Sequence, residues 1–276
     1  MDTYNTLSDI KLIELREIAF DMRTILLDFA LKKRVHIGSS LSLIEILVSL
    51  YFLEMNYSVD NFKSEDRDRL ILSKGHGALA LYAVLYKRGI LDKLSIDNFA
   101  SNNSNLSEHP HDIVPGIEVS SGSLGHGLSI GAGISLASKI DMKDYNVYVI
   151  MGDGELNEGT VWEAITFAAH QSLNNLIVII DKNNLQQEGK TKNILSMEPL
   201  ESKWESFGWH VKTINGHDFQ EIKNALEDFK LINNKPKVII ANTIKGKGVS
   251  FMENNPHFHM AKLNQEEYIK AKNELN

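Results

Sequence analysis

Cysteine is absent from this 276-residue chain, which excludes disulfides and thiolate metal sites and leaves any metal to oxygen or nitrogen ligands. Proline is scarce, at 5 residues, and no Pro/Gly-rich linker, internal repeat or low-complexity tract divides the chain, so a single domain over residues 1–276 is the simplest organisation. No apolar stretch approaches the roughly 18 residues of a membrane span, and the run Leu176–Ile180 has the length of a buried strand. An excess of positive charge is missing too. The balance of −7 removes the electrostatic footprint of a nucleic-acid binder. Met1–Leu15 mixes acids and bases without the apolar centre of a secretory signal. The expectation is a cytoplasmic protein that works on neither membranes nor nucleic acids.

Apolar residues make up 43% and charged residues 24%, enough for a large α/β core. Ile10, Leu15, Ile18, Met22, Ile25 and Phe29 recur at helical spacing and predict an amphipathic helix over 8–33, with Ser8 as N-cap. The cluster Lys32–Lys33–Arg34 at its end reads as a solvated terminus favoured by the helix dipole. Further helices are predicted over Ser42–Met55 and Gly77–Lys87. Beyond them, Val147–Met151, Leu176–Ile180, His210–Ile214 and Val238–Ala241 are short runs rich in β-branched residues. Helical stretches at 158–171, 199–207 and 218–230 lie between them. Strands alternating with helices predict an α/β fold, a doubly wound, mainly parallel sheet flanked by helices. Ligands of such sheets sit beyond the carboxyl ends of strands, where strand order reverses.

Two segments occupy such positions. The strand Val147–Met151 runs into Gly152–Asp153–Gly154–Glu155–Leu156–Asn157–Glu158–Gly159 and then a helix. Its glycines let backbone N–H groups approach an anion, and Asp153 could ligate a hard cation; a tight turn with Asp153 as N-cap accounts for the same residues. Thirty residues on, Leu176–Ile180 ends in Asp181–Lys182–Asn183–Asn184–Leu185. An Asn–Asn after a strand is ordinarily a turn. If the two strands are neighbours in a parallel sheet, however, Asp153 and Asn183 meet at one point with the oxygen donors that Mg²⁺ or Ca²⁺ prefers.

GDGELNEG followed by DKNNL resembles the metal and diphosphate signature of thiamine diphosphate (ThDP) enzymes, and its wording resembles the transketolase family. Other segments match in the same order over residues 10–265. Arg34–Val35–His36–Ile37–Gly38 resembles the family's GHPG segment. Asp66–Arg67–Asp68–Arg69 through Lys74–Gly75–His76–Gly77 resembles its DRDRFVLSxGHG. Glu108–His109–Pro110 resembles the GHPE turn, and Ser120–Gly127 the glycine-rich loop against the cofactor that opens a helix. Lys245–Gly246–Lys247–Gly248 with His257–Phe258–His259 resembles the closing segment. That segment departs most: Pro256 stands where many full-length members have a histidine, and Met260 where split forms commonly have glycine. Gly131 and Gly133, in the helix after the loop, are expected to allow close packing.

The resemblance implies ThDP and a divalent metal (Mg²⁺, Ca²⁺ or Mn²⁺) as cofactors. It implies Asp153, Asn183 and the Leu185 carbonyl as metal ligands. It places His76, Gly122, Ser123, Leu124, Gly152, Gly154, Glu155 and Asn183 against ThDP, and His36, His109 and His259 at the reacting sugar. The implied activity moves a two-carbon ketol unit from a ketose phosphate to an aldose phosphate. The family's pyrimidine-binding and C-terminal domains have no counterpart here. The resemblance therefore implies a partner, a C-terminal transketolase subunit carrying the pyrimidine-binding domain, in an α₂β₂ assembly. The alternatives are a relative of deoxyxylulose-phosphate synthase, a ketol transferase for an unusual sugar, and a non-catalytic ThDP-binding subunit.

Overall fold

The computed structural model describes residues 6–275, so the leader reading of Met1–Leu15 falls partly outside the described residues. Five strands, β1 (Arg69–Leu72), β2 (Val147–Gly152), β3 (Leu176–Lys182), β4 (His210–Asn215) and β5 (Lys237–Asn242), form one sheet in the order β1-β2-β3-β5-β4. Every pairing is parallel. The helices are α1 (Asp9–Lys32), α2 (Ile37–Leu41), α3 (Ile44–Ser49), α4 (Ala78–Lys87), α5 (Lys93–Asp97), α6 (His126–Ile140), α7 (Gly159–His170), α8 (Thr191–Ile194), α9 (Leu200–Ser206), α10 (Phe219–Lys230) and α11 (Gln265–Leu275).

Alternate residues of each central strand face opposite sides, so the sheet carries two cores. Tyr148, Ile150, Ile177, Ile179 and Ile239 pack with α1, α3, α4 and α10. Val147, Val149, Met151, Val178 and Ile180 pack with α6, α7 and α9. This division follows from crossover handedness. The chain advances β1→β2→β3 with α6 and α7 on one face, then skips a place to β4. The return step to β5 runs the other way, so a right-handed crossover puts α10 on the opposite face.

Ser8 caps α1, its side chain accepting from the Lys11 amide at 3.2 Å. Four of the five strands coincide with the apolar runs. The exception is β1, where three apolar residues behind Asp66–Arg67–Asp68–Arg69 are too few to show a period. The helix expected over Ser42–Met55 begins at Ile44 and ends in a π-helical turn, Leu50–Glu54. Lys33 is not simply solvated. Its ammonium bonds the carbonyls of Phe99 (2.5 Å) and Ala100 (3.2 Å), fastening α1 to the loop after α5. Gly131 is required, since a Cβ there would stand 2.5 Å from Val149 Cγ2, whereas a Cβ at Gly133 meets nothing within 4 Å. The close-packing expectation therefore holds for Gly131 and fails for Gly133, which faces away from the sheet.

Candidate functional site

At the carboxyl ends of β1, β2, β3 and β5 the chain encloses a cavity of about 310 Å³. The strand order breaks between β3 and β5, where the chain leaving β3 leads to α9 on one face and the segment leaving β5 packs on the other, and residues after both strands line the cavity, as the sequence suggested.

The register brings Gly152 opposite Asp181, and the chain beyond each strand supplies one wall. Asp153 is 5% exposed. Its Oδ2 accepts from the Asn184 amide (2.8 Å) and the Thr191 hydroxyl (3.3 Å), and its Oδ1 from the Gly154 amide (3.0 Å). The last contact makes Asp153 the cap of the 3₁₀ turn Gly154–Asn157, as the turn-forming reading of this residue expected. Asn184 adopts φ 61°, the left-handed conformation that asparagine tolerates. It turns the chain so that Asn183 Oδ1 accepts from the Leu185 amide at 3.1 Å.

Beneath them lies Asp181, fully buried. Its carboxylate accepts from Ser42 Oγ (2.7 Å), Asn183 Nδ2 (3.3 Å), Lys74 Nζ and Thr243 Oγ1. Burial alone would raise this carboxyl, but the Lys74 ammonium and these hydrogen bonds hold it below the usual range. Asp153 goes the other way. Burial, reinforced by the charge of Asp181, pushes its carboxyl up to about 6. Among the described residues it forms no ion pair.

Asp153 and Asn183 thus present oxygen donors from adjacent strand ends, with a buried carboxylate short of positive charge. A hard divalent cation fits that donor set. Among the described residues no cluster of three or more His, Cys, Asp or Glu forms a cage for a metal, so such a cation would complete its shell with a backbone carbonyl, water or a bound anion.

Glu155, 3% exposed, works as a staple. Its Oε1 accepts from the Gly125 amide (2.8 Å) and Ser73 Oγ, and its Oε2 from the Gly152 amide (3.2 Å). One carboxylate therefore ties the end of β1, the end of β2 and the glycine-rich loop together.

The opposite wall is imidazole. His36 lies 5.7 Å from His76, 5.9 Å from His109 and 5.4 Å from His259 between ring centroids, and His76 lies 5.3 Å from His259. They come from the loop before α2, the turn after β1, the loop before Pro110 and the turn Pro256–His259. His109 is seated by its carbonyl, which accepts from Tyr82 Oη (3.1 Å) and Ser107 Oγ (2.6 Å). Its ring rests on Gly122, at φ 142°, where a Cβ would come within 2.8 Å of Cδ2.

Burial, with the charges of Lys245 and the neighbouring rings, lowers His36 to about 4 and His259 to about 3. His76 is lowered in the same way, by burial first and then by the charge of Lys74. Lys245 is 2% exposed, its Nζ 2.9 Å from His259 Nδ1. Burial and Lys74 lower it to about 8.

Residues 16–276 match the family described as "Transketolase, thiamine diphosphate binding domain". The chain belongs to the transketolase family. It is 42% identical over 243 residues to one subunit of the apulose-4-phosphate transketolase from Phocaeicola vulgatus, covering 88% of this chain and 86% of that protein. It is 43% identical over 241 residues to a 6-deoxy-6-sulfo-D-fructose transketolase subunit of a Clostridium species, covering 87% and 88%. The solved transketolase of Campylobacter jejuni superposes with a TM-score of 0.89 at 34% identity, and that of Leishmania mexicana with 0.88 at 30%. Each match covers 95% of this chain but only 42% and 41% of theirs. The chain thus spans about two fifths of the solved transketolases and most of the length of relatives that are themselves separate subunits.

Of the transketolase site residues expected from sequence, His36, His76, His109, His259, Gly122, Leu124, Gly152, Asp153, Gly154, Glu155, Asn183 and Leu185 all line the one cavity. Ser123 does not. It is exposed at the tip of the glycine-rich loop, carried outward between the left-handed turns at Gly122 and Gly125. Glu155 lines the cavity with its oxygens already committed to protein donors. Lys74, Lys245 and Asp181 stand inside the matching motifs, yet sequence reasoning gives them no role. Their signal was position, since each lies within three residues of the end of a strand that feeds the cavity.

Proposed function

We propose that this chain is the ThDP-holding subunit of a ketol transferase that moves a two-carbon unit from a ketose bearing a terminal anionic group to an aldehyde acceptor. The observation that carries the reading is the shared cavity. A cation-fitting pair, Asp153 and Asn183, and four neighbouring imidazoles, His36, His76, His109 and His259, face one another across about 310 Å³.

In this reading Asp153, Asn183 and the Leu185 carbonyl would hold Mg²⁺ or a similar cation, and Gly154 would give a backbone contact to the diphosphate. When bound, ThDP supplies the nucleophilic carbon that opens the ketose C–C bond. Lys245, which forms no ion pair among the described residues, offers its positive charge to a diphosphate, while Lys74 is already paired with Asp181. His76 faces the cofactor. His36, His109 and His259 face the sugar, where a neutral imidazole can donate to one hydroxyl through N–H and accept from another through its bare nitrogen.

The donor need not be a common pentose phosphate. The names of two relatives give apulose 4-phosphate and 6-deoxy-6-sulfo-D-fructose, both anionic sugars. Because these relatives are subunits, the reading includes a partner chain carrying the pyrimidine-binding domain, in an α₂β₂ assembly.

The test is a turnover assay with ThDP and Mg²⁺ across a panel of ketose phosphates and sulfonates with aldose acceptors, with and without the partner chain. Turnover of one donor by the pair, and none by the chain alone, is expected. ThDP binding with no turnover of any donor beside a verified partner would instead identify a non-catalytic carrier.

A further inference from the structure

His217, in the turn between β4 and α10, lies outside the cavity and belongs to none of its motifs. Its side chain is 10% exposed and makes one hydrogen bond at each ring nitrogen. Nδ1 stands 2.8 Å from Glu45 Oε2, and Nε2 stands 2.8 Å from the amide nitrogen of Ile244. A backbone N–H can only donate, so Nε2 must carry the lone pair. Nδ1 must then carry the hydrogen and give it to the carboxylate. The two contacts together fix one neutral tautomer in one orientation.

Glu45 is itself clamped. Its Oε1 accepts from Arg23 Nη2 at 2.5 Å, and Arg23 Nε reaches forward to the Lys247 carbonyl at 3.3 Å. Arg23, Glu45 and His217 thus form a buried chain from α1 through α3 to the segment after β5, gripping that segment at Ile244 and again at Lys247. Between the two grips lies Lys245, its stem passing close to Gly38, where a Cβ would stand 3.2 Å from Cγ. Gly246 turns at once with φ 82° and donates to the Gly38 carbonyl at 3.0 Å. The Lys245 stem therefore runs close against Gly38, and the backbone on either side of it sets the point from which its ammonium reaches His259.

We propose that His217 is a positioning residue for the cavity: aimed by Glu45 and Arg23, it holds the Ile244 amide and thereby sets where Lys245 presents its charge beside His259. This rests on the proposed function only in that the ligand drawn to Lys245 is the diphosphate of ThDP. The latch itself is a property of the chain.

Two substitutions separate the latch from mere filling of space. His217→Gln retains an acceptor where Nε2 stands and loses the donor to Glu45. His217→Asn retains a donor where Nδ1 stands and offers Ile244 nothing. Amide hydrogen exchange at Ile244, measured on the full chain in its solution assembly, reads the latch without any cofactor. Calorimetry of ThDP with Mg²⁺ reads its effect on the cavity.

H217N is expected to speed Ile244 exchange roughly tenfold and to weaken ThDP by about the same factor, the equivalent of one hydrogen bond. H217Q is expected to stay within about threefold of the native chain in both. Should H217N not fold, His217→Ala takes its place against H217Q. Native behaviour of H217N in both measurements, or H217Q as impaired as H217N, would overturn the proposal. If the native assembly does not bind ThDP, the functional reading falls, and the exchange comparison still decides the latch.

Discussion

On one side of the cavity Asp181 accepts hydrogen bonds from four side chains and Asp153 from two amides and a hydroxyl. On the other side His36, His76, His109 and His259 meet one another at ring-centroid distances between 5.3 and 5.9 Å. Among the described residues these four rings take a single side-chain hydrogen bond, from Lys245 to His259. The carboxylate side is framed before any ligand arrives, its charges neutralised or committed by the protein. The imidazole side is held by backbone and packing, with ring nitrogens left open. A site that must grip one group rigidly and exchange protons with another needs both arrangements, and here they face each other across one cavity.

If the open rings are the working side, His109→Ala should have the largest effect. Turnover should fall by about 10²–10⁴-fold, the usual span for a lost acid–base group. ThDP affinity, read by calorimetry, should hardly change. Equal losses in both would erase the distinction between the two walls.

If the carboxylate side is a frame, breaking it should cost stability first. Lys74→Met leaves Asp181 buried with no cation, a loss of about 3–5 kcal/mol. Urea denaturation of K74M measures it, and the double variant with Asp181→Asn should recover part of the loss. A single-variant effect under about 1 kcal/mol, as for an exposed pair, would show that the frame does not depend on this ion pair.

The smallest effect sharpens the picture of Asp153. Its folded pKa of about 6 lies above its ordinary value of 3.8, so the folded chain holds this proton more tightly than the unfolded one. The stabilisation is present below pH about 4 and is lost as pH rises through about 6, up to roughly 3 kcal/mol. Melting of the native chain without metal should therefore fall over that window more than melting of Asp153→Asn. Mg²⁺ should flatten the native curve and leave the variant's unchanged. Parallel curves for the two chains would mean that Asp153 is charged at no cost and has no need of a cation.

Much of this was legible in the sequence. Strands β2 to β5 announced themselves as β-branched runs, and each cavity histidine sits in a loop beside a glycine, a proline or another short motif. Strand β1 was hidden because Leu70–Leu72 is shorter than any period. The cavity's electrostatics were hidden for a different reason. Lys74 and Asp181 are 107 residues apart, and Glu45 and His217 are 172 apart. Nothing local in either neighbourhood tells that a lysine will be buried or that a histidine will be locked in one tautomer. A lysine in a sequence reads as solvated until its partner is known. The exposed Ser123 shows the converse, for within a glycine loop neighbouring residues are indistinguishable until the left-handed turns decide which face inward.

The pairing of β2, β3 and β5 runs on without a bulge, setting Gly152, Asp181 and Ala241 side by side in one row. Each strand then hands over its own short loop, carrying Asp153, Asn183 or Lys245, from a neighbouring point about 4.8 Å along that row. The row behaves like a set of sockets at fixed pitch. A loop can be exchanged at one socket while its neighbours keep their places, because the spacing is set by backbone pairing rather than by the loops.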